Sequence, residues 1–168
     1  MNIKSCKKGI ALISVALVIM VLVMISGIVT YVSYDIIEIS KQTSYAKELE
    51  NISDAVEEYY AVNGSIPALS GGLELTVEEY KKNIEEINGS KITEILAEEI
   101  TANNDEEAIF YEIDISKIGI EDLKLGLKSN EYDIFLISNE SHNVYYYQGY
   151  EINGNVYFSN INIMDKND

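Results

Sequence analysis

"YAKELENISDAVEEYYAVNG", residues 45–64, decides the fold because it predicts a helix with two different faces. Its apolar residues recur at spacings of four and three, which places them along one side of a helix. That side carries Tyr45, Leu49, Ile52, Val56, Tyr59 and Tyr60. The other side carries Lys47, Glu48, Glu50, Asp54, Glu57 and Glu58. Asn63-Gly64, followed by Pro67, predicts the end of the helix. The apolar stripe therefore needs a partner to pack against.

The helical pattern continues upstream into a strongly apolar run. Residues 34–63 contain no proline or glycine, and residues 10–32 are apolar apart from two serines, one glycine and one threonine. A helix over residues 10–32 rises about 34 Å, which exceeds the roughly 30 Å hydrocarbon core of a bilayer. We therefore predict one helix from Ile10 to Asn63, with an apolar transmembrane half over residues 10–33 and an amphipathic half over residues 34–63.

Charge sets the predicted orientation and excludes one class of ligand. Three basic residues, Lys4, Lys7 and Lys8, precede Gly9, and no acidic residue does. Basic residues before an apolar span favour a cytoplasmic N-terminus, which places the C-terminus outside the cytoplasmic membrane. The whole chain has a formal net charge of −16. Because this charge repels phosphate backbones, we expect the acidic C-terminal part to bind no nucleic acid.

The N-terminal pattern resembles one known family. A short basic leader ending in glycine, the run "IALIS" behind it and "NISDAVEEYYAVNGSIPAL" at residues 51–69 together resemble type IV prepilins and pseudopilins. The resemblance implies removal of residues 1–9 by cleavage between Gly9 and Ile10, and methylation of the new amino group of Ile10. It implies no cofactor. The implied partners are a prepilin peptidase, other pilin or pseudopilin subunits, an inner-membrane assembly platform and, before assembly, membrane lipid.

One residue departs from the family pattern. Most pilins have glutamate at the fifth mature position, which is Ser14 in this chain. In the family, that carboxylate is thought to pair with the N-terminal ammonium of the subunit already ahead in the filament. Ser14 cannot form this pair, whereas its hydroxyl can bond to the carbonyl of Ile10. Two interpretations stay open: an initiating or tip-capping subunit with no subunit ahead of it, or neutral loss of the glutamate.

Residues 64–168 predict a globular α+β head. Thr76 to Glu79 has the form of a capping box and begins a helix to about Ile87, which Asn88-Gly89 ends. Ser90 is the predicted cap of a second helix. Residues 109–115 alternate as a strand, and residues 132–138, 144–152 and 155–163 predict a three-stranded meander with a type I′ turn at Asn153-Gly154. We expect these four strands to form an antiparallel sheet against the amphipathic half of the long helix.

Residues typical of catalysis are few. His142 is the single histidine and lies in a predicted turn, and the single cysteine, Cys6, belongs to the predicted leader. Pairs of adjacent acids, such as those at residues 57–58, 78–79, 98–99 and 106–107, are expected to be solvated because adjacent helical residues do not face each other. Asp105, Glu106 and Glu107 are candidates for a calcium ion but lack the ligand spacing of an EF-hand, so no metal site is predicted.

These observations predict a structural protein and not an enzyme. The first hypothesis is a minor pilin or pseudopilin of a type IV pilus or of a type II secretion or competence-like filament. It begins as a single-pass protein of the cytoplasmic membrane and ends in a cell-surface filament. The alternative is an uncleaved, signal-anchored extracytoplasmic binding protein. An extracytoplasmic enzyme is the third class, and the sequence offers it the least support.

Overall fold

A computed structural model describes residues 3–120 and 123–159, with side chains for residues 15–24, 37, 39–120 and 123–159. The chain divides into two compact units, Met1–Ser40 and Lys41–Asp168. The described helices are α1 (Ile3–Asn63), α2 (Val77–Asn88), α3 (Ser90–Ala102) and α4 (Ile115–Ile118). The described strands are β1 (Glu74–Thr76), β2 (Ile109–Glu112), β3 (Phe135–Ser138), β4 (Val144–Tyr146), β5 (Tyr150–Ile152) and β6 (Asn155–Tyr157).

The second unit is built on a four-stranded antiparallel sheet. Its strand order is β1-β2-β3-β4, and each strand pairs with the next. Strand β3 is buried at all four positions, because its run Phe135-Leu136-Ile137 places large apolar side chains on both faces. A strand buried on both faces needs a covering layer on each side.

The long helix covers one face of the sheet. Four members of the α1 stripe are buried there, together with side chains from β3, β4 and the strands that follow. The buried residues of this core are Tyr45, Leu49, Ile52, Val56, Ile113, Phe135, Ile137, Val144, Tyr146, Ile152 and Tyr157. The expected packing of the amphipathic helix half on an antiparallel sheet is confirmed over residues 45–56. The end of the stripe differs, since Tyr59 is half-buried and Tyr60 is exposed.

Helices α2 and α3 cover the opposite face. The side chains buried in this core include Tyr80, Ile84, Leu96, Ile100, Phe110, Leu136, Tyr145, Tyr147 and Phe158. Residues 135–137 and 144–147 alternate between the two cores, as the period of two in a strand requires. The sequence predicted the two short helices but did not predict that they cover a face of the sheet. The result is an α+β arrangement with helix on both sides of the sheet.

The predicted set of strands was partly wrong. The sheet takes β1 as its edge strand, whereas the predicted strand 144–152 divides into β4 and β5. The break lies at Gly149, which has a φ of 73° and donates its N–H to the Tyr146 carbonyl at 3.0 Å. A side chain there would collide with Val156, 2.5 Å from the ideal Cβ position. Strands β5 and β6 consequently form a separate two-stranded sheet. The predicted strand residues 160–163 lie outside the described part of the chain.

The local signals for helix ends and turns were mostly right. The N–H of Gly64 donates to the carbonyl of Tyr60 at 2.8 Å, just after α1 ends. Thr76 and Glu79 form the expected capping box at the start of α2. Asn153 and Gly154 have φ values of 53° and 74°, as a type I′ turn requires. Ser90 does not cap α3, because Gly89 occupies the N-cap position and Ser90 is the first helical residue.

Replacing Leu49 by alanine tests how much the head depends on α1. Leu49 is buried against the sheet, so Leu49→Ala removes apolar contacts and leaves a cavity. We expect the free energy of unfolding to fall by about 2–5 kcal/mol. Val62→Ala is the matched control on the same helix, because Val62 is 78% exposed and its truncation should cost about 0.5 kcal/mol or less. Urea unfolding followed by far-ultraviolet circular dichroism measures both. Equal losses would contradict the packing described.

Candidate functional site

The residues predicted to direct processing and assembly lie at the start of α1. Helix α1 contains Lys4, Lys7, Lys8, Gly9, Ile10 and Ser14. Their side chains lie outside the described residues, so the leader, the cleavage point and the role of Ser14 stay predictions.

The side chains that follow form an apolar surface on every side of α1. All ten residues from Val15 to Met24 are exposed, and the large side chains range from 52% exposure at Val21 to 66% at Val23. Ten residues make nearly three turns, so this surface surrounds the helix. An apolar surface of this extent marks a place where a protein meets another protein or a lipid.

A membrane-spanning helix was also predicted for this part of the chain. Within the part of the chain that the structure describes, no helix is both long enough and apolar enough to cross a membrane. Of the predicted span, residues 10–32, the described side chains are those of residues 15–24.

The carboxylates of the acidic loop after α3 do not lie together. Asp105 is fully buried and accepts hydrogen bonds from the hydroxyls of Ser138, Ser141 and Tyr145 at 2.6, 2.8 and 2.8 Å. Glu106 and Glu107 are exposed. Burial raises the pKa of Tyr145, and the charge of Asp105 raises it further, so the hydroxyl stays protonated and donates. In the described residues, no three acidic, histidine or cysteine side chains are placed to hold a metal ion.

The adjacent acids Glu98 and Glu99 behave differently, which corrects the expectation that both are solvated. Glu98 is exposed, whereas Glu99 is 1% exposed. The Glu99 carboxylate accepts hydrogen bonds from the backbone N–H groups of Phe158 and Ser159 and from the Ser159 hydroxyl, the last two at 2.7 Å. Adjacent helical residues point about 100° apart, so one can face solvent while the other faces the core.

Residues 157–159 connect three elements of the head. The Tyr45 hydroxyl on α1 donates to the carbonyls of Tyr157 and Phe158 at 3.0 and 3.3 Å. The Tyr146 N–H on β4 donates to the Phe158 carbonyl at 2.7 Å, and Glu99 on α3 accepts from the same segment. Burial raises the pKa of Tyr45 well above its usual value, and the charge of Glu99 adds to the rise, so the Tyr45 hydroxyl remains a donor.

Two further carboxylates hold the loop at residues 123–133. Glu48 accepts from the N–H groups of Lys124 and Leu125 at 2.7 and 2.8 Å, although the helical pattern predicted it on the solvent side. Asp133 accepts from the N–H of Gly126, from the N–H and hydroxyl of Ser129 and from the hydroxyl of Tyr146. Burial raises the pKa of Asp133, but these hydrogen bonds outweigh it and leave the pKa below its usual value.

The buried carboxylates Glu99, Asp105 and Asp133 therefore act as structural acceptors. His142 follows the turn at residues 139–141 in the loop between β3 and β4, with its ring against Tyr60 at a centroid distance of 4.1 Å. Of the regions singled out in the sequence, the apolar surface at residues 15–24 has the clearest capacity to bind a partner. No sequence signal identified Glu48 or Glu99 as structural acceptors, because their donors lie about 60 to 77 positions away along the chain. Asp133 accepts mainly from nearby residues of its own loop, in a pattern that matches no motif.

The pair Glu98 and Glu99 offers a matched test of a buried acceptor. Glu99→Ala leaves two buried N–H groups and a hydroxyl without their acceptor, and each such loss costs about 1–3 kcal/mol. We expect the free energy of unfolding to fall by about 2–4 kcal/mol. Glu98→Ala, one residue earlier on the exposed side, should change it by about 0.5 kcal/mol or less. Urea unfolding midpoints measure both changes, and similar midpoints for the two variants would contradict the assignment.

Comparison of the chain with models of protein families, with curated proteins and with solved structures finds no match in any of the three.

Proposed function

We propose that this chain is a minor pilin or pseudopilin, a structural subunit of a type IV pilus or of a type II secretion or competence-like filament. The observation that carries the proposal is the division of α1 into two kinds of surface. Residues 15–24 expose apolar side chains all round, whereas the stripe from Tyr45 to Val56 is buried on the sheet of the head. Residues 15–24 thus require an apolar partner outside the chain, whereas the stripe from Tyr45 to Val56 packs against the head.

The physical role of the apolar surface follows from what it can contact. Fully burying one large aliphatic side chain contributes about 1.5–3 kcal/mol, so covering this run is strongly favourable. Membrane lipid covers it before assembly in the proposed pathway, and the helices of neighbouring subunits cover it in the filament. The acidic head then faces outward, where its charge keeps it soluble.

Removal of the leader converts the membrane-bound precursor into a subunit that can enter the filament. In the proposed pathway, Lys4, Lys7 and Lys8 hold the N-terminus on the cytoplasmic side of the membrane. A prepilin peptidase cuts between Gly9 and Ile10, and the amino group of Ile10 is then methylated. The mature helix begins at Ile10 and passes to the assembly platform.

Ser14 supports a position at the filament tip. A carboxylate inside an apolar environment costs several kcal/mol unless it is paired, so a subunit without a neighbour ahead of it is better served by an uncharged residue. A serine hydroxyl can be satisfied within its own helix. We therefore propose that the chain initiates or caps the filament.

The mature N-terminus tests the family assignment. When the full chain is produced in cells with a prepilin peptidase, we expect an intact mass equal to residues 10–168 plus one methyl group, because cleavage and methylation act at Ile10. Mass spectrometry of the membrane fraction reads this directly. An intact Met1 in the presence of an active peptidase would reject the proposal and favour the uncleaved, signal-anchored binding protein.

A pair of glycine variants serves as the control. Gly9→Leu places a large side chain at the cleavage point and should leave the leader attached. Gly27→Leu makes the same change further along the apolar run and should be processed like the parent chain. Equal processing of the two variants would show that the cut is not made at Gly9.

The abundance of this chain in filaments and a Ser14→Glu substitution test the tip position. A capping subunit occurs once per filament, so we expect this chain to be far scarcer in sheared filaments than the major subunit, as measured by quantitative mass spectrometry. Ser14→Glu should not increase the number of filaments, because no subunit lies ahead to pair with the new carboxylate, and Ser14→Ala serves as the uncharged control. Abundance equal to that of the major subunit would reject tip placement.

A further inference from the structure

Two adjoining clefts in the head share a pair of tyrosine rings. One cleft has a volume of about 480 Å³, and its lining includes Leu73, residues 130–132 and Tyr147. The other has a volume of about 470 Å³ and is lined by Tyr132, Tyr147 and the C-terminal half of α2. Small-molecule sites have volumes of roughly 300–1,000 Å³, so each cleft is large enough for a small ligand. None of the lining residues belongs to the apolar run of α1, which makes the clefts independent of the proposed filament surface.

Tyr132 is the outermost of three nearly parallel tyrosine rings. The rings of Tyr80 and Tyr147 stack at a centroid distance of 5.4 Å and an angle of 10°, and those of Tyr147 and Tyr132 at 5.9 Å and 15°. Tyr80 and Tyr147 are buried, whereas Tyr132 is half-buried and lines both clefts. Because one face of Tyr132 packs on Tyr147, the clefts meet its other face and its edge. The stack therefore holds a flat apolar surface in place beside two cavities.

Polar groups with unused hydrogen-bonding capacity lie beside this ring. The Oδ1 atom of Asn130 accepts the N–H of Tyr132 at 2.8 Å, and its Nδ2 atom donates to none of the described residues. Glu86 is exposed on α2 and lines the second cleft. Burial raises the pKa of Tyr147, while a hydrogen bond from the Asn83 side chain lowers it, so the Asn83 amide lies at the Tyr147 hydroxyl. Both donors and acceptors therefore surround the flat surface.

The charges around the clefts disfavour an ionic ligand of either sign. A hydrogen bond to Glu131 and the charge of that carboxylate raise the pKa of Tyr132, and the charge of Glu86 contributes to the rise. These carboxylates repel phosphates and other anions. Lys128, which lines the first cleft, lies 2.6 Å from the buried Glu112 carboxylate, so its charge is compensated. Glu86 and Glu131 are exposed, and exposed carboxylates attract a cation only weakly in water.

We propose that Tyr132 and the two clefts beside it bind the neutral sugar rings of a glycan. The C–H groups on one face of a pyranose form a flat apolar surface that lies on Tyr132. The hydroxyl groups of this ring and of the next one bond to Glu86 in one cleft and to Asn130 in the other. A hydroxyl both donates and accepts, so it suits a carboxylate and an amide alike, whereas a wholly apolar ligand would desolvate them without a partner. This site extends beyond the filament role and does not depend on it.

A disaccharide and an open-chain polyol test the proposal on the full chain, held in micelles of a detergent that contains no sugar. The probe is methyl β-cellobioside, and the control is D-glucitol, which has similar hydroxyl groups but no rigid flat face. Chemical-shift titration by nuclear magnetic resonance gives both dissociation constants. We expect saturable shifts at residues 83–87 and 130–132, and binding about threefold to tenfold tighter than that of glucitol, because aromatic stacking contributes a factor of this order. Equal affinities, or no saturable shift, would overturn the proposal.

Tyrosine variants test the flat surface itself. Tyr132→Ala removes the ring and should weaken binding of the disaccharide by about threefold to tenfold, whereas Tyr132→Phe keeps the ring and should stay within about twofold of the parent chain. Tyr60→Ala is the matched control, because Tyr60 is 39% exposed on the same head and packs on His142 away from the clefts. Equal affinities of Tyr132→Ala and Tyr60→Ala, with amide spectra that show both are folded, would contradict the site.

Two adjacent acids on α2 test the polar contact without disturbing the stack. Glu86→Ala should weaken binding of the disaccharide by about threefold or more, because it removes a charged hydrogen-bond acceptor. Glu85→Ala removes the same charge one residue earlier, outside the lining of either cleft, and should have a smaller effect. Equal effects of the two variants would reject the proposal. So would tighter binding of N-acetylphenylalaninamide than of the disaccharide with shifts at the same residues, which would assign the surface to an aromatic side chain of a partner protein.

Discussion

The head depends on the burial of strand β3 on both faces. Phe135 and Ile137 face the core under α1, while Leu136 faces the core under α2 and α3. Neither helical layer can be removed without exposing one side of the central strand to water. Residues 45–56 of α1 are therefore part of the hydrophobic core of the head, and the contacts of Tyr45, Glu48 and Leu49 follow from that position.

Periodic patterns made most of the fold predictable. The stripe on α1, the capping box at Thr76 and the Asn153-Gly154 turn each depend on neighbouring residues, so the local sequence carries the information. Strand β1 was missed because a three-residue edge strand has too few positions to show alternation. Gly149 was missed as a break because the surrounding tyrosines read as one continuous strand. Its role depends on the approach of Val156, which only the folded chain supplies.

The partners of the buried acids could not be predicted from the sequence. Glu98 and Glu99 are the same residue type at adjacent positions of α3. Glu98 faces solvent, whereas Glu99 accepts three hydrogen bonds from residues 158 and 159. Glu112 and Lys128 meet without any motif that joins them. With 12 basic and 28 acidic residues, this chain has few cations available, and it supplies backbone N–H groups, serines and tyrosines to several of its buried carboxylates instead. Such partners depend on tertiary structure, so composition alone predicts solvated acids.

The hydrogen bond from Tyr45 to Tyr157 has a consequence for the order of biosynthesis. The two residues are 112 positions apart, and the acceptor lies in β6, the last strand in the part of the chain that the structure describes. During translation, the stripe on α1 emerges long before residues 157–159, so it remains without its final cover while the intervening chain is made. Because contacts of such long range form late in folding, the head cannot close until most of the chain has been synthesised. A premature stop before residue 157 would leave the Tyr45 hydroxyl without its two acceptors and the core under α2 and α3 without Phe158.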